Sequence, residues 1–206
     1  MKIYYMEQNT PAWYEIKKLK FTASNASTIL AMGAGVKTLI GEMLADYYSS
    51  GNYEEFSAKF QNKQMQRGKE FEDKARMVYE LETGNRVEQV GFVELDDYIG
   101  CSPDGLVGED GLIEIKNPSD KIFIEQMENG KIKKEYIDQM QFQMFVTNRK
   151  WCDYFAFNPN FTPSYIKVRV NRDEDTQMKI FEALTSAKTI LFERKQKLDE
   201  IMRRAA

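Results

Sequence analysis

An aspartate, a ten-residue step and an acid-x-lysine mark the middle of this chain: Ser102-Pro103-Asp104-Gly105, then Glu114-Ile115-Lys116. Residues i and i+2 of a strand share a face, so Glu114 and Lys116 project together while Ile113 and Ile115 are free to enter a core. Two carboxylates and an ammonium suit a hard divalent cation such as Mg2+, which takes oxygen ligands and keeps waters and substrate phosphate oxygens in its shell. The chemistry this favours is metal-assisted phosphodiester hydrolysis. Taken alone, Asp104-Gly105 could equally be a turn, and Glu114 with Lys116 an exposed ion pair of small worth.

The chain contains no histidine. That excludes a Ser-His-Asp triad, an imidazole base and His-ligated zinc or iron. The remaining route to a nucleophile near neutral pH is a water activated by a cation and oriented by a lysine.

At 206 residues the sequence predicts a single domain, 1–206, able to bury roughly 70% of its unfolded surface. No apolar run reaches the ~20 positions of a membrane span, and Met1-Lys2-Ile3-Tyr4 opens no secretory signal. A cytoplasmic protein with no membrane partner is expected. Cys101 and Cys152 lack CxxC spacing, which disfavours a disulfide framework, a zinc ribbon and an iron-sulfur cluster. The net charge of −3 argues weakly against nucleic acid, but the charges are segregated. Ten acids face one base, Arg86, between Glu80 and Glu114, whereas Lys17, Lys18 and Lys20 cluster early and Lys131, Lys133 and Lys134 later. The plain reading of each lysine cluster is a solvated face.

These residues need elements to position them. Val36, Leu39, Ile40, Met43, Leu44, Tyr47 and Tyr48 recur with helical spacing, and Gly51 would stop that helix. A second helix is predicted over 62–83, with Phe71, Ala75 and Val78 on one stripe and Gly84 at its left-handed end. Strands over 86–94, 98–102 and 111–117 predict a meander, with Gly108 and Asp110-Gly111 turning between the last two. A helix over 134–147 and strands over 151–157 and 165–170 follow. A long helix over 173–204 closes the chain, with Met178, Phe181, Leu184, Leu191, Leu198 and Ile201 as its stripe and Arg203 and Arg204 at the negative end of its dipole. The expected fold class is α/β (α+β), a mixed central sheet flanked by helices.

The SPDG-x8-EIK segment joins Arg67-Gly68-Lys69-Glu70-Phe71-Glu72 upstream and Tyr136-Ile137-Asp138-Gln139-Met140-Gln141 downstream. Together they resemble the phage lambda exonuclease (YqaJ-type) branch of the PD-(D/E)xK nucleases, whose fold is restriction-endonuclease-like. Trp13, Lys17 and Thr22-Ala23-Ser24 extend the likeness to the N-terminus, so that it spans roughly 13–157. Four motifs in order weigh more than a lone acid-x-lysine.

The resemblance implies roles position by position. Asp104 would be the carboxylate shared between metals, Glu114 a ligand of the catalytic metal beside the Ile115 carbonyl, and Glu72 the residue completing a second position. Two Mg2+ ions, replaceable by Mn2+, are implied. Lys116 would orient the attacking hydroxide and stabilise the charged phosphorane. Gln139 matches the family's active-site glutamine; Tyr136, Gln139 and Gln143 share a helix face opposite Ile137 and Met144, so a polar face could look into the cleft while its reverse packs on the sheet. Lys17, Ser24 and Ser102 would take a 5'-phosphate, with Lys18 or Lys20 as substitutes for Lys17. The lambda enzyme has arginine where Lys17 stands, and an ammonium is a point charge in place of a bidentate fork, so capture of the phosphate is expected to be looser.

The expected activity is 5'-to-3' digestion of linear double-stranded DNA with a 5'-phosphate end, giving 5'-mononucleotides and a 3' single strand for an annealing recombinase. The kinship implies a homotrimer ring, a phage or prophage source and a bacterial cytoplasm. A ring channel would also reconcile an acidic exterior with DNA. The alternatives are a structure-specific endonuclease or junction resolvase with the same core, and a non-catalytic DNA-end-binding module.

Overall fold

Thr10-Pro11 starts the first helix for a local reason. The Thr10 hydroxyl accepts from the Trp13 N–H at 3.3 Å, and Pro11 brings no N–H to leave unpaired in the first turn. This is a computed structural model; it describes residues 1–49 and 63–205, with side chains 1–49 and 71–204. Strand β1 (Lys2–Tyr4) precedes that helix, α1 (Pro11–Lys17), and β2 (Phe21–Thr22), a 3-10 turn at Ala23–Asn25, α2 (Ala26–Ala31) and α3 (Ala34–Tyr48) follow. Next come α4 (Lys63–Thr83), β3 (Val87–Glu88), β4 (Phe92–Asp96), β5 (Ile99–Cys101), β6 (Gly105–Val107) and β7 (Gly111–Lys116). The chain continues through α5 (Asp120–Asn129), α6 (Lys134–Thr147), β8 (Trp151–Phe157), β9 (Tyr165–Asn171) and α7 (Glu174–Ala205). The expected stop at Gly51 and the start at Asn62 lie outside the described residues. Helix α4 closes as expected at Gly84, whose φ of +69° only glycine adopts readily.

The mixed α/β class holds, but the strands divide into two sheets. One runs β1-β4-β5-β2 and the other β3-β6-β7-β8-β9. Each mixes directions: β2 joins β5 in parallel and β7 joins β8 in parallel, while the other pairs are antiparallel. The strand expected over 86–94 is therefore two strands in different sheets. The meander is corrected likewise: Gly105 begins β6, and the Gly108 turn joins β6 to β7. Gly105 is needed for close approach, since a Cβ there would stand 2.1 Å from Val87 Cγ1 and 3.2 Å from Ile113 Cγ2. The chain crosses between sheets at 102–104, and Asp104 rides on that crossing.

Strand β7 is covered on both sides. Leu112 enters the larger core with α2, α3, α6 and α7, whereas Ile113 and Ile115 enter a second core with Ala75 and Tyr79 of α4 and Phe155 and Phe157 of β8. Strict alternation then sends Glu114 toward the α6 side. The stripe expected on α3 holds except at Tyr47, which is exposed. On α7, Leu184 and Leu191 are buried as expected, but Ile180, Ala183 and Ala187 join them while Met178, Phe181 and Ile201 are exposed, because small alanines let the helix approach closely. Among the described residues, no helix is long and apolar enough to cross a membrane.

Candidate active site

Glu114 is 1% exposed, so it is no surface ion pair. A carboxylate so buried must be bonded throughout. Its Oε1 accepts from Lys116 Nζ, and its Oε2 accepts from Gln143 Nε2 of α6 at 2.7 Å. Asp104 reaches the same strand through the backbone, its Oδ2 accepting from the Ile115 N–H at 2.7 Å. Ile115 is thus engaged with Asp104 through its N–H.

Glu72, on α4, lies in the field of both acids. Its Oε1 accepts from Arg76 at 2.8 Å, and Arg76 also bonds Asp73 at 2.7 Å. The Gln89 amide lies against the same guanidinium, with its oxygen as acceptor in the orientation that satisfies both groups. Arg76 was not anticipated, although its position four residues after Glu72 was a readable helix pair.

Burial, followed by the charges of Glu114 and Glu72, raises the Asp104 carboxyl well above the usual carboxylate range. Burial likewise raises Glu72, against the pull of Arg76. Burial opposes the Lys116 ammonium, but Glu114 and Asp104 together outweigh it and hold its pKa above the ordinary value. Asp104, Glu114 and Glu72 offer only oxygen donors, which fits a hard divalent cation in charge and in ligand type. They are not a finished cage: among the described residues no three His, Cys, Asp or Glu side chains are grouped to hold a metal. In this arrangement Lys116, Gln143 and Arg76 satisfy the oxygens a cation would take.

Lys116 Nζ also approaches Gln139 Oε1 at 3.4 Å and lies 4.9 Å from the Tyr136 ring centroid. Tyr136 stacks on buried Tyr154, whose hydroxyl burial pushes up to about 12. Tyr136, Gln139 and Gln143 therefore gather about Lys116 and Glu114. The expected reverse face is only half right: Met144 is buried, but Ile137 is exposed. Gln143, fully buried, is a carboxylate partner and does not line an open cleft.

Lys17 Nζ lies 3.7 Å from the Trp13 ring centroid, and burial lowers its pKa to about 8. The Trp13 Nε1–H is shared between the Gly91 carbonyl at 2.9 Å and Ser102 Oγ at 3.0 Å. Lys17 and Ser102 are thereby brought to one indole. Ser24 is exposed and hydrogen-bonds Thr22 at 3.1 Å. Lys18 and Lys20, the alternatives to Lys17, each meet a carboxylate. Lys18 pairs with Glu15 at 2.6 Å, and Lys20 pairs with Glu94 at 3.2 Å while donating to the Asp97 carbonyl.

A cleft of about 530 Å³ opens beside Asp104 and Glu72, walled by residues 5–9 opposite Arg76 and Gln89. Gln8 pins its rim through the Val90 carbonyl at 3.3 Å and that of Pro103 at 3.4 Å. No local pattern marked Gln8, whose partners are far away in sequence.

Residues 12–150 match the YqaJ-like viral recombinase domain. The chain belongs to this family. Two solved structures of the YqaJ-type chain's relatives are 32% identical to it. The first, LHK-Exo in complex with dAMP, superposes with a TM-score of 0.85 over 96% of this chain and 100% of that one. The second, an alkaline exonuclease (LHK-Exo) from Laribacter hongkongensis, gives 0.78 over 93% and 100%. A phage-related exonuclease from Haemophilus somnus 129PT shares the fold, with a TM-score of 0.65 at 17% identity over 89% of this chain and 98% of that one. No curated protein sequence matches the chain.

Proposed function

We propose that this YqaJ-type chain is a Mg2+-dependent exodeoxyribonuclease that degrades linear double-stranded DNA from 5' ends to 5'-mononucleotides. The observation that carries the reading is the convergence of Asp104, Glu114 and Lys116 on one strand end, with Asp104 bonded to the Ile115 N–H between the other two. Kinship to an alkaline exonuclease solved with a deoxynucleoside monophosphate supports it.

Asp104 and Glu114 would hold the cation, with Glu72 completing a second position once released from Arg76. When bound, the cation supplies Lewis acidity and neutralises charge on the scissile phosphate. Lys116 sets its ammonium against the phosphorane, steadied by the Tyr136 ring and Gln139. Gln143 keeps Glu114 oriented. Lys17, Ser24 and Ser102 receive the terminal phosphate, and Lys17 suits a dianion because no carboxylate among the described residues pairs with it. The proposal extends to a ring trimer, to a single-strand annealing partner that takes the 3' overhang, and to a host cytoplasm.

The test compares linear 5'-phosphorylated duplex with covalently closed circles, with Mg2+ and with EDTA. Release of mononucleotides from linear duplex in Mg2+ alone, with circles intact, is expected. Nicking of circles would give the endonuclease reading instead, and undiminished function in Asp104→Asn would give the non-catalytic one.

A further inference from the structure

Glu114 and Tyr154 are partners across the parallel pairing of β7 and β8. Alternation puts the Tyr154 side chain in the larger core, on the side of Glu114 and α6, while its neighbour Phe155 turns to the second core. Tyr154 is 1% exposed, so it meets no substrate and acts only through what it touches.

It touches two groups. Gln126, a buried residue of α5, donates from Nε2 to the phenolic oxygen at 2.9 Å. A buried phenol needs such a partner, and this bond ties the far end of the ring to a second helix. The other group is the Tyr136 ring, stacked with its centroid 5.9 Å away and its plane tilted by 21°. Tyr136 is only half-buried and stands in the first turn of α6, where the cap, Lys133, makes no side-chain bond. Helix ends fray, so the stack on Tyr154 is what fixes that ring.

The Tyr136 ring in turn meets the Lys116 ammonium, 4.9 Å from its centroid. Glu114 by itself would draw that ammonium down onto β7. A ring face attracts it from the α6 side and brings no negative charge to neutralise it.

We propose that Tyr154 is a positioning residue for Lys116: it fixes the Tyr136 ring, whose face holds the ammonium out from Glu114 to meet the phosphate. This inference rests on the exonuclease reading above.

The test has one arm without cleavage and one with it. In EDTA, the ring should shift the Lys116 methylene protons upfield of those of a solvated lysine. Tyr154→Leu is expected to return them toward the solvated position, and Tyr154→Phe, which keeps a ring to stack on, to leave them in place. In Mg2+, kcat on linear 5'-phosphorylated duplex is expected to fall about tenfold in Tyr154→Leu with KM unchanged, and less than about threefold in Tyr154→Phe. Tyr136→Leu should match Tyr154→Leu, and the double variant be no worse than either. Lys116 protons unmoved in Tyr154→Leu, or equal losses of kcat in Tyr154→Leu and Tyr154→Phe, would overturn the role of Tyr154 alone. Shifted protons in a wild-type protein that releases no mononucleotides would overturn the exonuclease reading and the catalytic role with it. Should Tyr154→Leu not fold, Tyr154→Met fills the space without a ring and carries the same expectations.

Discussion

The Ile115 N–H donates to Asp104 Oδ2 at 2.7 Å, which locks the crossing between the two sheets onto the strand that carries Glu114 and Lys116. Through that one bond the acid stays in register with the acid-x-lysine pair.

Asp104→Asn retains an oxygen for this bond and removes the charge. Cleavage is expected to fall at least about a hundredfold, as for loss of a metal ligand. The metal-free protein should melt no lower than wild type, because ionised Asp104 is opposed by burial and by Glu114 and Glu72. Calorimetry beside a cleavage assay separates the two effects, and a large drop in melting temperature would contradict them.

Gln143→Leu leaves Glu114 Oε2 without its donor in a site that is almost wholly buried. Mn2+ affinity, measured by isothermal titration, is expected to weaken about 10- to 100-fold, the usual effect of removing a group that orients a ligand. An unchanged isotherm would mean that Glu114 needs no such support.

Lys17 titrates near 8, below its ordinary 10.5, so between these values the folded amine is largely neutral. A phosphate dianion favours the ammonium, so binding there takes up a proton and weakens as pH rises. Anisotropy with 5'-phosphorylated duplex in EDTA is expected to show affinity falling from about pH 8 to 10, whereas Lys17→Arg stays charged and flat. Parallel profiles for the two proteins would exclude Lys17 as the titrating group.

Tyr79 donates to buried Asp153 at 2.8 Å, and Arg169 grips the same carboxylate at 2.8 and 2.9 Å. This joins α4, the helix of Glu72, to β8 and β9. Tyr79→Phe is expected to cost about 1.5–3 kcal/mol in urea denaturation with cleavage per folded molecule retained. Stability equal to wild type would show that water or Arg169 replaces the hydroxyl.

Elements with dense local signals were legible. The helix over 134–147 and the strand over 151–157 have the predicted bounds. Helix α5 went unforeseen because only Phe123 and Gln126 are buried on it, too few for a periodic signal. The stripe of α7 was legible only in part: Leu184 and Leu191 are buried as expected, but hydropathy favoured Met178 and Phe181 where close packing chose Ala183 and Ala187. The single strand expected over 86–94 failed because partner choice is not local; Val87 pairs with Val107, and Phe92 pairs with Tyr4.

The order and spacing of Asp104, Glu114, Lys116 and Gln139, together with the lack of histidine, determined the family and the class of chemistry, because residue type and strand alternation are properties of the chain itself. Which groups balance those acids was decided only in three dimensions. Gln143 reaches Glu114 across 29 positions of sequence, and the Trp13 N–H reaches Ser102 across 89, and burial strengthens such bonds by excluding water. Depth of burial, choice of sheet and the company of a charge depend on how elements pack, and no stretch of residues carries that information alone.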